Sequence, residues 1–435
     1  MPGNVAPAGA SVTRVSIADA PSDRVVSFEV TVGPITLMKS DNTSVTALSG
    51  TRRVEISHLS GTSEPLVIAN VPNGSYSAAS VTVSKPEVTF VNSSGALSQL
   101  EPVVNQTVSV NFVPAISVSN AASVLTFDLN VVNSLAFDSA GNVTGVSFGS
   151  SSFTVMASAV APQGEQEMEN GELEDTTGTV TAVNGASFTL AVAQNGPTLT
   201  FATDANTEFH DGASLATIMN MIVKVEGRTK ADGTLYAKEV EGIENESGSE
   251  VAGIVTAVQG SPADSLSIVA QDGEGSGVTS AVIGSTVTAN VVGASYRADS
   301  GSVDSSGLGS IPSLPNFPFD GNTVHAGQRV EVESITGENG NSTSAANVKL
   351  KQQALVGTVS GLNAPSAPTT FTLTLPSDSA FAILSGSTIV TVFWQPGTDV
   401  SHLPQALQNN QTVRIRGLVF FTGSTLNMIA RRIDQ

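Results

Sequence analysis

The 435-residue chain has no cysteine, one tryptophan and three tyrosines, and only 13% of its residues are charged. Without cysteine there is no disulfide, no thiolate metal site and no thiol nucleophile. The scarcity of Trp and Tyr thins the stacking platform that sugar-cleaving clefts favour. Basic residues are scarce too: 18 Lys and Arg stand against 38 Asp and Glu, a net charge of −20. Nucleic-acid affinity rests on Lys and Arg neutralising phosphates, so no nucleic-acid partner is expected, and an anionic membrane surface is disfavoured for the same reason. No apolar run approaches the roughly 18–20 residues of a membrane span. The opening MPGNVAPAGA lacks the basic and apolar regions of a signal peptide.

Ser, Thr, Asn and Gly take the place of the missing charge, while hydrophobic residues still make up 40%. That mixture disfavours long helices and suits short strands joined by polar turns, so the chain reads as all-β. Its length suggests roughly three or four domains. A cysteine-free, Lys-poor chain of this kind fits an exported bacterial protein better than a cytosolic one. On that reading it is extracellular or part of the cell envelope, and its signal has been removed with Met1 added.

After a flexible start over 1–10, residues 11–156 alternate with period two. In SFEVTVGPITLM (27–38), Phe28, Val30 and Val32 share one face and Glu29 and Thr31 the other. The same pattern recurs in SVTVSKPEVTFV, TVSVNFV, VLTFDLNVV and GVSFGSSSFTVM, with turn signals at 72–74, 93–95 and 139–142. About eight strands punctuated this way predict a two-sheet sandwich. Residues 157–176 break the pattern: six are acidic and none basic, which reads as a solvated acidic linker.

From Gly178 one phrase is written three times: GTVTAV, then GIVTAV from Gly253, then GTVSGL from Gly357. Each copy continues through four further strand-like segments. A turn-and-helix-like segment precedes the fourth, which reads VKVEG, VEVES and VRIRG in the three copies. The first glycines are 75 and 104 residues apart, which makes the copies domains rather than turns of a solenoid. Five strands in this order sketch a small OB-like barrel, in which closure removes the exposed edges. The barrels are predicted over 177–247, 248–353 and 354–435. The opening glycines permit a bulge or tight corner, as do Gly227 and Gly417 at the end of strand four, where the second copy has Ser334. The second copy carries a Gly/Ser/Pro-rich insert over 293–322, whose Phe317 and Phe319 are expected to fold back and staple their own barrel.

Two phrases, SIADAPSDRVVSFEVTVGPITL with its Asp19-Ala20-Pro21 and EPLVIANVPNGSYSAASVTV, resemble a bacterial domain family of unknown function found near the N-terminus of cell-envelope lipoproteins. The resemblance covers roughly 11–155 and implies an exported prealbumin-like or immunoglobulin-like sandwich without established activity. The lipid-bearing cysteine of such lipoproteins is absent. GTVTAVNGASFTL and VKVEGRTKADGTLYAKEVE resemble a second bacterial family of unknown function, small β-barrels arrayed in tandem in exported proteins.

Convergent chemistry is sparse. Of four histidines, His210, His325 and His402 each fall between strands three and four of a repeat, but 13, 5 and 11 residues before strand four, so they share no common geometry; His58 stands apart. No zinc signature is present. The best calcium-like spacing, Asp204, Asn206, Glu208 and Asp211 in DANTEFHDG, is also what a strand with a polar outer face gives. GEGSG (273–277) only mimics a nucleophile elbow, and no phosphate cradle occurs. No catalytic, cofactor or metal residue is assigned.

The expected function is that of a non-enzymatic exported or cell-surface protein acting as spacer, scaffold or adhesive element. The alternative is a module that binds an oligosaccharide or peptide, an envelope glycan or protein, through the barrels; a hydrolase with an unrecognised carboxylate site ranks third. Trp394, on strand three of the last copy, discriminates: a core position denies the barrel a stacking platform. Edge-to-edge self-assembly is open to sandwiches with long strands.

Overall fold

The computed structural model describes residues 7–20, 24–59, 61–119, 123–159, 167–193, 196–230, 233–243, 250–274, 283–299, 303, 317–336 and 342–435. The architecture is all-β: an N-terminal sandwich followed by three five-stranded barrels. Of the start expected to be flexible, residues 1–6 lie outside the described residues, while Ala10 already opens the first strand.

One sheet of the sandwich runs, in spatial order, Phe153–Ala159, Ser123–Asn130, Ala10–Ala20 and Ser63–Pro72. The pairing of Ala10–Ala20 with Ser123–Asn130 is parallel. The other sheet is built on Val25–Lys39 and Gly74–Val91, longer strands than the short repeats of the sequence suggested. The period-two pattern does its work between the sheets, where Phe28, Val30 and Val32 bury against Ile17, Leu66, Phe127 and Leu129.

All three barrels close in the same way. In the first, Glu167–Val183 pairs with Ser187–Val192, which pairs with Thr198–Ala202. That third strand runs parallel to the fifth, Leu235–Gly242, and the fourth, Ile222–Lys230, closes the ring between the fifth and the first. The same circuit links Glu250–Gly260, Ala263–Glu274, Thr286–Asn290, Ser342–Leu350 and Arg329–Thr336 in the second barrel. It links Gln353–Ser360, Thr369–Thr374, Ile389–Trp394, Thr425–Asp434 and Thr412–Thr422 in the third. The repeated glycine has a steric reason. A Cβ on Gly178, Gly253 or Gly357 would lie 2.3, 2.0 or 2.6 Å from a carbonyl oxygen of strand two, so only glycine lets the two backbones approach this closely.

Two expectations are corrected. Among the described residues the segment before strand four is not helical; turns drop one apolar plug into each barrel, Ile218, Val324 and Leu407. A short helix does occur, Ala380–Ser385, but between strands two and three of the last barrel, capped by the Ser379 hydroxyl. The stretch read as an acidic linker over 157–176 is largely strand: Phe153–Ala159 ends in it and Glu167–Val183 begins in it. Leu173 there is core, Glu172 is buried against Lys238 of the same barrel, and the Glu174 side chain is buried because Arg329 and Arg416 of the other two barrels supply its counter-charge. Most of the insert over 293–322 lies outside the described residues. Its end does more than staple its own barrel. Phe319 meets Tyr296 of barrel two edge-on, whereas Phe317 packs on Phe393 and Phe420 of barrel three, ring centres 5.0 and 5.2 Å apart.

Candidate functional site: a charged seam and an acidic cleft

The fourth strands build the seam that joins the barrels. Val223 and Val225, Val330 and Val332, and Val413 and Ile415 point into their barrels, so the residues between them point out. Those outward positions hold Lys224 and Glu226 in barrel one, Glu331 and Glu333 in barrel two, and Arg414 and Arg416 in barrel three. The outward faces meet one another. Lys224 Nζ lies 2.7 Å from Glu331 and also pairs with Glu250. Lys351 reaches Glu226 at 2.7 Å, and Lys349 reaches Glu239 at 3.1 Å. Arg297 lies 2.9 Å from both Glu241 and Glu333. Glu174 of barrel one joins all three barrels, accepting from Arg329 of barrel two at 2.5 Å and from Arg416 of barrel three at 2.7 Å.

Burial raises the cost of each charge here, and the partners decide the outcome. Burial alone would lift Glu172, but Lys238, Arg431 and Arg416 override it and hold the carboxyl far below the usual range. Lys224 and Lys349 do the same for Glu241. Glu250 goes the other way, raised by burial and by Glu331 beside it. Two acidic triads in the seam have ligand-like spacing, Glu226, Glu239 and Asp299, and Glu241, Glu331 and Glu333. Lysine and arginine heads already stand against both triads, Lys351 and Lys349 at the first and Lys224 and Arg297 at the second.

A cleft of about 680 Å³ opens beside this seam, between the sandwich and the first two barrels. Among the described residues six carboxylates line it, Glu29, Glu55, Glu64, Glu87, Glu174 and Asp272, against Arg52, Arg53, Lys85 and His58, and no Phe, Tyr or Trp. Glu29, on the polar face of its strand, is buried here rather than exposed, because the barrels cover that face. Arg53 bridges Glu29 at 2.7 Å and Glu87 at 2.5 Å. Burial nevertheless pushes Glu29 up to about 7, against the pull of Arg53, and pushes Glu64 up to about 7 against His58. Glu55 has a structural role. It accepts from the Phe28 and His58 amides and the Ser57 hydroxyl, and its Oε2 lies 2.7 Å from His58 Nδ1. Despite burial these bonds hold Glu55 low, and Glu55 in turn raises His58.

The histidines between strands three and four are not brought together. His210 Nε2 lies 3.5 Å from Glu208 and 3.6 Å from Glu239; His325 stacks on Phe421; His402 stands in a separate turn of barrel three. The calcium-like set does not converge either. The Asp204 carboxylate closes its own turn on the Asn206 amide, Glu208 faces His210, and Asp211 lies beside Glu241, raised first by burial and then by that neighbour. Trp394 is 6% exposed and belongs to the core of barrel three. The sequence signal of the seam, charges alternating with apolar residues in VKVEG, VEVES and VRIRG, is also that of an ordinary wet strand face, and the cleft draws its charges from segments far apart in the chain, from Glu29 to Asp272.

Two family models match parts of the chain. Residues 10–144 match a domain of unknown function, DUF4382, and residues 177–241 match a domain of unknown function, DUF5666. The second match falls on the first barrel. No curated protein matches the chain. Among solved structures, it is similar to a multidomain protein with nucleic acid binding domains from Streptococcus pneumoniae TIGR4, at 13% identity over 60% of this chain and 72% of that one, with a TM-score of 0.13. Among the described residues no helix is long and apolar enough to cross a membrane.

Proposed function

We propose that the protein is a non-enzymatic binding scaffold of the bacterial cell envelope, and that the acidic cleft is where it holds its ligand, a basic peptide segment. The carrying observation is the cleft wall: among the described residues, six carboxylates, two of them raised to about 7, and no aromatic side chain. Such a wall favours a partner that brings positive charge and hydrogen-bond donors over a sugar that needs stacking. With Trp394 in the core and the strand-four faces in the seam, the cleft is favoured over the barrel surfaces as the binding site. The envelope assignment draws on the cysteine-free, Lys-poor composition and on the resemblance of the sandwich to lipoprotein domains. A scaffold role is supported by the buried ion pairs, which lock the modules into one body where a spacer needs no such contacts.

Binding a cation beside Glu29 and Glu64 favours their ionised forms, so complex formation releases protons near neutral pH. The test is isothermal titration with lysine- and arginine-rich oligopeptides in buffers of different ionisation enthalpy, alongside acidic peptides and envelope glycans. The expected result is binding of the basic peptides alone, with proton release and a loss of about tenfold in affinity for Glu87→Gln combined with Asp272→Asn. Binding of glycans only, or of no probe, overturns the reading. The raised pair Glu29 and Glu64 also supports a second reading, hydrolysis by two carboxyls, and turnover of a chromogenic substrate abolished by Glu64→Gln would favour it.

A further inference from the structure

A second, smaller cavity of about 100 Å³ lies where the sandwich meets barrels two and three. Much of its wall is apolar, including Val131 of the sandwich, Ile254 of barrel two, and Leu375 and Phe381 of barrel three. The polar part of the wall has acceptors in excess. Asp19 is 1% exposed, and neither of its carboxylate oxygens has a hydrogen-bond partner among the described residues. The same holds for Oε1 of Gln352, a buried residue on the same cavity.

The other polar groups of the wall have partners: the Arg329 guanidinium donates to Glu174, to Gln271 Oε1 and to the Gln352 carbonyl, and His58 is held by Glu55. Gln271 Nε2 donates to the Val26 carbonyl and the Ser57 hydroxyl. Gln353 accepts from the Arg329 amide and donates to the Gly327 carbonyl. Arg414, whose charge acts on Asp19, is committed to Asp434 at 2.7 and 3.0 Å. Asp128 and Glu55 add only like charge. With Arg329 and His58 already paired, Asp19 is, among the described residues, the one charge-bearing group of the wall without a partner. Burial raises it well above the usual carboxylate range, and an occupant that donates hydrogen bonds and carries positive charge offsets the cost of ionising it.

We propose that this cavity binds a small primary alkylammonium ion, with Asp19 as its anionic partner, Gln352 Oε1 as a further acceptor, and the alkyl chain against Val131, Leu375 and Phe381. One carboxylate and one amide oxygen are too few for calcium, which takes about six to eight oxygen ligands. An anion would meet only acceptors at Asp19. The volume is below the roughly 150 Å³ that accommodates benzene, which fits a chain of about two to four carbons. The site is distinct from the acidic cleft, although His58 and Gln271 line both.

The test is calorimetric titration and thermal melting of the full chain with methyl-, ethyl-, propyl-, butyl- and hexylammonium chloride, with sodium and calcium chloride at matched ionic strength. Affinity is expected to rise about fourfold per methylene while the cavity still has room, and to fall for the hexyl chain. Asp19→Asn should weaken propylammonium binding at least tenfold and Gln352→Leu by less, with circular dichroism unchanged in both. If Asp19→Asn fails to fold, the chain-length series on the native protein decides. A larger shift with calcium or sodium than with any alkylammonium overturns the proposal in favour of a metal site. Absence of binding overturns it in favour of a cavity holding water only, and unchanged affinity in a folded Asp19→Asn protein places the ammonium elsewhere.

Discussion

At Glu174 a single carboxylate is shared by guanidinium groups from two other barrels, and all three side chains are almost fully buried. Glu174→Gln keeps the shape and removes the charge, leaving Arg329 and Arg416 short of a buried counter-ion. The expected loss is about 3–5 kcal/mol, read from urea denaturation. Glu64 carries a second prediction, with the opposite dependence on charge. Its folded value of about 7 lies above the ordinary 4.5, so its contribution to stability is complete below 4.5 and is lost as pH rises through about 7. Glu172 and Glu241 have the reverse sign: held low by their partners, they stabilise above the ordinary carboxylate range and lose that contribution in acid. Glu64→Gln should therefore flatten the fall in urea midpoint between about pH 5 and 7 and raise stability near pH 8 by about 1–2 kcal/mol. A variant curve parallel to the native one counts against this assignment. None of these roles was legible locally. Glu174 lies 155 residues from Arg329 and 242 from Arg416, so its stretch reads as a tether until the fold brings those cations in.

Elements were the legible scale. Alternation of apolar and polar residues specifies strands, and the thrice-written glycine phrase specifies that one barrel is used three times. The glycine itself gives a sharp prediction. Gly253→Ala puts a methyl group 2.0 Å from the Val269 carbonyl oxygen, whereas the same change at Gly50 meets nothing within 4 Å. Gly253→Ala should cost about 2–3 kcal/mol, with Gly50→Ala near neutral, measured by thermal unfolding of both variants. What the pattern concealed was the role of each turn. ASLATIMNM has a helix-like mixture of residues, but Ile218 alone is wholly buried there, as a plug, and the backbone around it turns rather than winds. Period and composition locate such a segment without fixing its conformation, because one deep contact outweighs weak helix propensity.

For the whole molecule, the contacts between modules argue against independent beads. The sandwich touches barrel two through Thr89 and the Gly284 carbonyl at 2.6 Å, and barrel one through Arg14 and Thr229 at 2.7 Å. Barrels two and three share an apolar core that includes Phe393, Leu418 and Phe420. Calorimetry of the full chain should accordingly show one cooperative transition, little moved by salt because the linking charges are screened from solvent. Four separable transitions would show that the seam contributes little. The sequence announces the modules but not their docking, since docking depends on which outward face meets which.

The three fourth strands hold the same inward valines or isoleucine and different outward pairs: Lys and Glu, then Glu and Glu, then Arg and Arg. Those pairs act as addresses. Lys224 and Glu226 of the first face meet Glu331 and Lys351 of barrel two, and Arg416 of the third meets Glu174 of barrel one, so copies of one barrel design carry different labels for different neighbours. An array that began by repeating itself has thereby become a finite object, in which each barrel has one place.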